Sequence, residues 1–170
     1  NFENKYLKNN FYENTLIFLP YLNYGGSISP FVNVNSKAEI FGILPHHNNF
    51  DIMTSCYEGL ALSIKDCYGA KINRKDNLYL AGGASKSKIL PQLISNALNV
   101  KVKILTNSEL GALGISFLID NYLNKTNLKN LINDHQKVGH IYTPNKKHSK
   151  YLNNKYQKYK KLRESLNNIW

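Results

Sequence analysis

The chain has 170 residues, 42% of them hydrophobic, which suffices for one buried core and excludes a disordered chain. Its formal net charge of +11 admits nucleic acid or an anionic surface as partner, but Lys, Asn, Ile and Tyr are over-used everywhere, so the charge reads first as a compositional bias. No apolar run approaches the roughly 20 residues of a membrane span, and the opening Asn1-Phe2-Glu3-Asn4-Lys5 is neither a signal peptide nor an ordinary start; the reading is a cytoplasmic protein without a membrane partner, begun inside a longer chain.

Residues 1–15 read as the end of a helix at Tyr6 and Leu7, then a polar connection through Asn9 and Asn10. Residues 16–22 are a continuous apolar run suited to a strand buried on both faces, with Pro20 marking its end. A loop with turn signals at Gly25-Gly26 and Ser29-Pro30 leads to a second strand over residues 38–44. A long helix follows, capped by Asn48 or Asn49, with Asp51 in its first turn and Gly69 at its end; Phe50, Met53, Tyr57, Leu60 and Ile64 recur at helical steps as its apolar stripe. Cys56 and Cys67 fall on this helix roughly 16 Å apart along its axis. That is beyond the about 7 Å a disulfide spans, so two buried free thiols are expected.

The stretch 78–81 is the next strand and ends in Gly82-Gly83, followed by Ala84-Ser85-Lys86-Ser87 and a helix carrying Ile89, Leu93 and Leu98 on one side. Pro91 fits only the first turn of that helix, which places the cap near Ser87. Without a Cβ, paired glycines let a ligand lie against the backbone beside the unpaired N–H groups of a helix start, although such a turn also serves as plain α/β punctuation. A short strand at 102–105 precedes a helix that Ser108 can cap. Gly111 and Gly114 inside it cost about 1 kcal/mol each against alanine, which implies that something approaches them closely. A short helix over 128–132 and an extended piece over 138–142 lead to a final helix from Asn145, with Leu152, Tyr156, Tyr159, Leu162 and Leu166 facing the core and lysines, Lys155 and Lys158 among them, on the solvated faces.

Adjacent His46 and His47 point apart with no ligand partner at a suitable spacing, so they read as a helix-entry or surface pair and no metal site is expected. Glu58 within an apolar helix reads as an acid paired with backbone or a cation before it reads as a catalyst. Glu109 suits a helix start by its charge alone. The alternation of strands and helices implies one α/β domain with part of its sheet parallel.

Taken in order, the run 16–22 ending in Leu-Pro-Tyr-Leu, Phe41-Gly42-Ile43 with His47, Tyr57-Glu58-Gly59, the stretch 81–87, Glu109 with Gly111-Ala112-Leu113-Gly114, and Ile141-Tyr142-Thr143-Pro144 before a Tyr-rich helix resemble the carboxy-terminal lobe of the FGGY family of carbohydrate kinases, the xylulose and L-xylulose type among them. The resemblance implies an α/β fold of the actin/sugar-kinase (ribonuclease H-like) kind, a mixed sheet flanked by helices. Residues 1–170 would form a single domain, the ATP-side lobe of an enzyme whose amino-terminal, sugar-binding lobe is absent. It also implies γ-phosphoryl transfer from ATP to a sugar or polyol hydroxyl with Mg²⁺ and a carboxylate base. Gly82, Gly83, Ala84 and Ser87 would be the nucleotide-binding residues. The implied partners are the sugar, ATP, the amino-terminal lobe and a second copy of the chain.

Two departures stand out. The family's catalytic Asp and its glycine/threonine phosphate loop lie upstream of residue 16; nothing in residues 1–15 resembles either, and no Asp precedes Asp51, so no catalytic residue is expected here. Where many members carry Gly-Glu-Arg, this chain has Gly25-Gly26-Ser27-Ile28. The alternative is a non-catalytic relic, or a basic nucleic-acid-binding module built on the lysines and on Tyr151, Tyr156 and Tyr159 of the last helix.

Overall fold

The computed structural model describes residues 1–9, 13–24, 26–27, 29–69, 77–106, 109–135 and 137–170. In chain order its elements are α1 (Phe2–Lys8), β1 (Ile17–Leu19), β2 (Glu39–Phe41), α2 (Asn49–Tyr68), β3 (Asn77–Leu80), a 3₁₀ turn (Gly83–Lys86), α3 (Leu90–Leu98), β4 (Lys101–Leu105), α4 (Leu110–Asn124), α5 (Leu128–His135), β5 (Val138–Tyr142) and α6 (Lys146–Asn167). β3 runs parallel to β4, and β5 joins the other edge of β4 antiparallel, which makes a mixed three-stranded sheet. β1 and β2 pair antiparallel as a separate two-stranded sheet. A parallel pair needs a crossover, and α3 supplies it between β3 and β4.

The first strand stops at Leu19, where Pro20 removes a donor, so Leu22 is exposed. The second is shorter than its apolar run suggests. Gly42 takes φ +90 and turns the chain away from the ladder, leaving Ile43 and Leu44 in solvent.

α2 begins as expected, with a capping box in which Asn48 and Asp51 satisfy each other's backbone N–H groups, and it ends at Gly69. Its buried face is a correction. Met53 and Leu60 of the expected stripe are each 41% exposed, and the buried positions are Phe50, Asp51, Thr54, Ser55, Glu58, Gly59, Ala61, Leu62 and Asp66. These follow the same helical period shifted by one residue: α2 packs on β1, α3 and α6 at once, and its buried polar side chains find partners within α2 and its cap or on α6. Thr54 Oγ1 donates to Phe50 O at 2.7 Å and Ser55 Oγ to Ile52 O at 2.7 Å. Gly59 lets β1 approach: a Cβ there would stand 2.5 Å from Phe18 O. Both cysteines are free, but only Cys56 is partly buried, its thiol pushed up by burial; Cys67, at the open end of α2, is exposed.

α3 is the centre of the core. Every residue but Gln92 is buried, between α2, α6 and β4. From α6 the core receives Leu152, Tyr156 and Tyr159, as the stripe predicts. Their hydroxyls are paired: Tyr156 donates to Asp66 Oδ1 at 2.8 Å, and Tyr159 meets the Tyr21 hydroxyl at 3.2 Å. α4 buries none of its residues. Its expected cap, Ser108, lies outside the described residues, and no described atom comes within 4 Å of a Cβ built at Gly111 or Gly114, so the close approach expected there is not made among them.

Candidate functional site

The chain leaves β3 at its carboxyl end, where ligands of parallel α/β sheets are commonly held, and turns at Gly82 with φ +71 and ψ −156, a conformation that favours glycine. Ser85 locks the turn, its hydroxyl and its N–H both donating to Gly82 O, at 2.7 and 3.2 Å. Gly83 opens the 3₁₀ turn with no positive φ, and among the described residues a Cβ at Gly82 or Gly83 would meet nothing within 4 Å. The four expected residues, Gly82, Gly83, Ala84 and Ser87, therefore lie on one turn, its glycine face bare, just ahead of the α3 amino terminus.

α3 starts at Leu90, with Pro91 in its first turn, and Ser87 caps it from a distance: its Oγ accepts from Ile89 N at 3.3 Å and Leu90 N at 3.0 Å. The same hydroxyl donates to Glu3 Oε1 on α1. Glu3 also accepts from Lys88 N at 3.2 Å and from the Tyr57 hydroxyl at 3.3 Å, and the Ser87 hydrogen bond in particular holds its carboxyl below the usual glutamate range. Sequence reading did not single out Glu3. Its partner stands 84 positions away, and no local pattern announces the pairing.

A second polar centre lies in the core. Lys155 Nζ pairs with Glu58 Oε2 and donates to Asn14 O at 2.7 Å; Tyr151 Oη accepts from Asn14 N at 2.7 Å and lies 2.8 Å from Asn14 O. Both ionic side chains are almost fully buried, which pushes the Glu58 carboxyl up and the Lys155 ammonium down, each opposed by the partner's charge. Glu58 is thus the paired acid expected. With no exposed surface it cannot touch a substrate in this fold. Lys155 corrects the reading of α6. It faces inward because Glu58 on α2 and the Asn14 carbonyl compensate its charge. Tyr156 and Tyr159 are buried and Tyr151 half-buried, their hydroxyls paired with Asp66, Tyr21 and Glu58.

His47 organises the entry to α2, accepting from Leu44 N at 2.8 Å and meeting Thr15 Oγ1 at 3.2 Å. Among the described residues no group of three or more His, Cys, Asp or Glu could hold a metal ion. No described helix is long and apolar enough to cross a membrane. A shallow cleft of about 390 Å³ lies between the end of β1 and the end of α2, lined by Tyr21, Leu22, Asn23, Ser29, Ser63 and Cys67. Leu22 and Tyr24 at its rim, and Ile115, Leu118, Ile119, Tyr122 and Leu123 on α4, are exposed.

Residues 7–118 match the description "FGGY family of carbohydrate kinases, C-terminal domain". An erythritol kinase of Brucella abortus is 32% identical over 103 residues, which are 61% of this chain and 20% of that protein. A xyloylose kinase of Brucella ovis superposes with a TM-score of 0.82 at 20% identity, over 93% of this chain and 33% of that one. The Plasmodium falciparum glycerol kinase with ADP gives a TM-score of 0.66 at 21% identity, over 88% and 30%. The chain therefore spans between a fifth and a third of the length of the kinases it matches. These likenesses establish the sugar-kinase fold.

Proposed function

Since the chain belongs to the FGGY family of carbohydrate kinases, as its C-terminal domain, we propose that it supplies the adenosine-binding side of an ATP-dependent kinase acting on a sugar or polyol hydroxyl. A polyol is included because the Brucella abortus relative is named for erythritol. The reading is carried by the bare backbone at Gly82 and Gly83, at the carboxyl end of a parallel strand and ahead of a helix start. A flat adenosine fits such a surface: Gly82 shapes the turn, Gly83 and Ala84 keep its face low, and Ser87 fixes where it passes into α3. Among the described residues Mg²⁺ finds no ligand set at this turn. The carboxylate beside the turn, Glu3, is occupied by Ser87, Lys88 and Tyr57, so a metal would arrive on the phosphates and be held outside this turn. The carboxylate base, the phosphate loop and most sugar contacts are assigned to a segment outside residues 1–170, in the same or another chain. The exposed side chains of α4 and of the Leu22 to Tyr24 rim are suited to docking against it.

The test is ligand-detected NMR of ATP and ADP with the purified chain, where half of a site is expected to bind at about millimolar strength, about 4 kcal/mol. Gly83→Val should weaken the signal at least about fivefold by standing two methyls in the ligand's space. Because Gly83 has no positive φ and no described residue crowds it, the substitution should leave the fold intact. Lys158→Ala on α6 should change nothing. A folded Gly83→Val chain that binds ATP as the parent does would remove adenosine from this turn.

A further inference from the structure

Resting on the nucleotide reading of the turn, we propose that Glu3 of α1 is a positioning residue for it, holding the Gly82 to Ser87 backbone in its ligand-ready shape from across the fold. A serine hydroxyl has one proton to give and two lone pairs. At Ser87 the lone pairs receive Ile89 N and Leu90 N, and the proton goes to Glu3 Oε1. The hydroxyl is saturated, so Ser87 acts on a nucleotide through the shape it imposes and not by donating to it. Glu3 fixes that shape at two successive points, because its second oxygen accepts from Lys88 N while Lys88 Nζ reaches Asn4 Oδ1 at 3.1 Å on the same helix. The carboxylate is itself located by the Tyr57 hydroxyl on α2, and α1 is seated on α2 by Phe2, whose ring stacks on Tyr57 at 5.1 Å and meets Phe50 at 5.3 Å. Thus the one stretch between the glycine face and α3 that lies outside regular structure is tied to two helices by one side chain. A carboxylate accepting from a hydroxyl and an amide makes the stronger, charge-assisted kind of hydrogen bond.

The test uses the full 170-residue chain in two arms. Native-state amide exchange without nucleotide compares the parent with Glu3→Ala and Glu3→Gln over residues 83–90, with the α3 interior, Ile94 to Leu98, as the internal reference for folding. ADP affinity is read by ligand-detected NMR. Glu3→Ala should speed exchange over 83–90 about tenfold, with the reference unchanged, and weaken ADP by a comparable factor. Glu3→Gln keeps an acceptor for Ser87 but turns an amide donor on Lys88 N–H, so it should fall between the two. Exchange over 83–90 that matches the parent overturns the proposal whatever ADP does. So does faster exchange with ADP bound as well or better, since Glu3 would then be idle or would be masking the site. A parent chain that binds no ADP at millimolar concentration would sink the nucleotide reading alone, and the exchange arm still decides whether Glu3 holds the turn.

Discussion

α3 and α4 lie on either side of β4 in the sequence and are both rich in leucine and isoleucine, yet α3 buries every residue but Gln92 and α4 buries none. Composition therefore does not decide burial here; what surrounds each helix does. α3 is enclosed by α2, α6 and β4, whereas among the described residues α4 packs mainly on α5. The half of the molecule built on α2, α3 and α6 is closed, with even its buried acids Glu58 and Asp66 paired internally. The α4 and α5 half carries exposed apolar side chains and two internal glycines that no described residue outside the helix crowds. The kinases it matches are about three times as long as this chain, and on the proposed reading that asymmetry separates what the domain holds together alone from what it would offer to the remaining segment.

The closed half should be fragile to single changes. Lys155→Ala leaves Glu58 buried without its cation and should cost about 3–5 kcal/mol, read as a drop in the urea midpoint. The pair Glu58→Leu with Lys155→Met should recover most of that loss, because the ionic pair itself contributes little net stability. A Lys155→Ala chain as stable as the parent would mean the charge is hydrated after all and the half is not closed. Gly59→Ala is the next largest. Its Cβ would stand 2.5 Å from the Phe18 carbonyl, so β1 must shift, at about 1–3 kcal/mol by the same measurement.

Much of the closed half is legible in the sequence because its signals are local. Asn48 with Asp51, Gly69, Pro91 in a first turn, the start of α6 at Asn145 and the α6 stripe each occupy a few neighbouring residues. What could not be read depends on pairs far apart in the chain. The α2 stripe is displaced by one residue because elements pack on it from three sides and its acids Glu58 and Asp66 find partners on α6, and Lys155 looks like a surface lysine until Glu58, 97 positions away, is brought to it. At the turn, Gly82 and Gly83 are visible as paired glycines, while Glu3 is not, since a glutamate in a polar first turn is commonplace.

In the open half, the same kind of change should do little to stability and much to association. Leu118→Glu, at a side chain 61% exposed, should stay within about 0.5 kcal/mol of the parent in urea, since no packed contact is lost. Sedimentation over a range of concentrations should show the parent associating through its apolar face and the variant less so. If Leu118→Glu instead unfolds the chain, α4 is covered and the contrast with α3 fails.

The smallest effect tests the boundary between the halves by pH. Glu3 lies below the usual carboxylate range, first because Ser87 donates to it, with Lys88 N–H and Tyr57 adding and burial opposing. A carboxylate whose folded value is depressed contributes fully above its unfolded value of about 4.3, and that contribution is lost as pH falls through the lower folded value. Glu58 behaves oppositely. Burial raises its value, so its share of stability is present in acid and lost as pH rises, and acidification by itself does not loosen α2 through this group. Protection factors for residues 83–90, corrected for intrinsic exchange, should therefore hold steady from about pH 6 to 4.5 and then decline modestly toward pH 3, ahead of the α2 and α3 interior. In Glu3→Gln the same amides should start lower and show no such step, because the side chain no longer titrates. If parent and Glu3→Gln lose protection together, in step with the core, then acid acts on the whole domain and the turn owes nothing separate to α1.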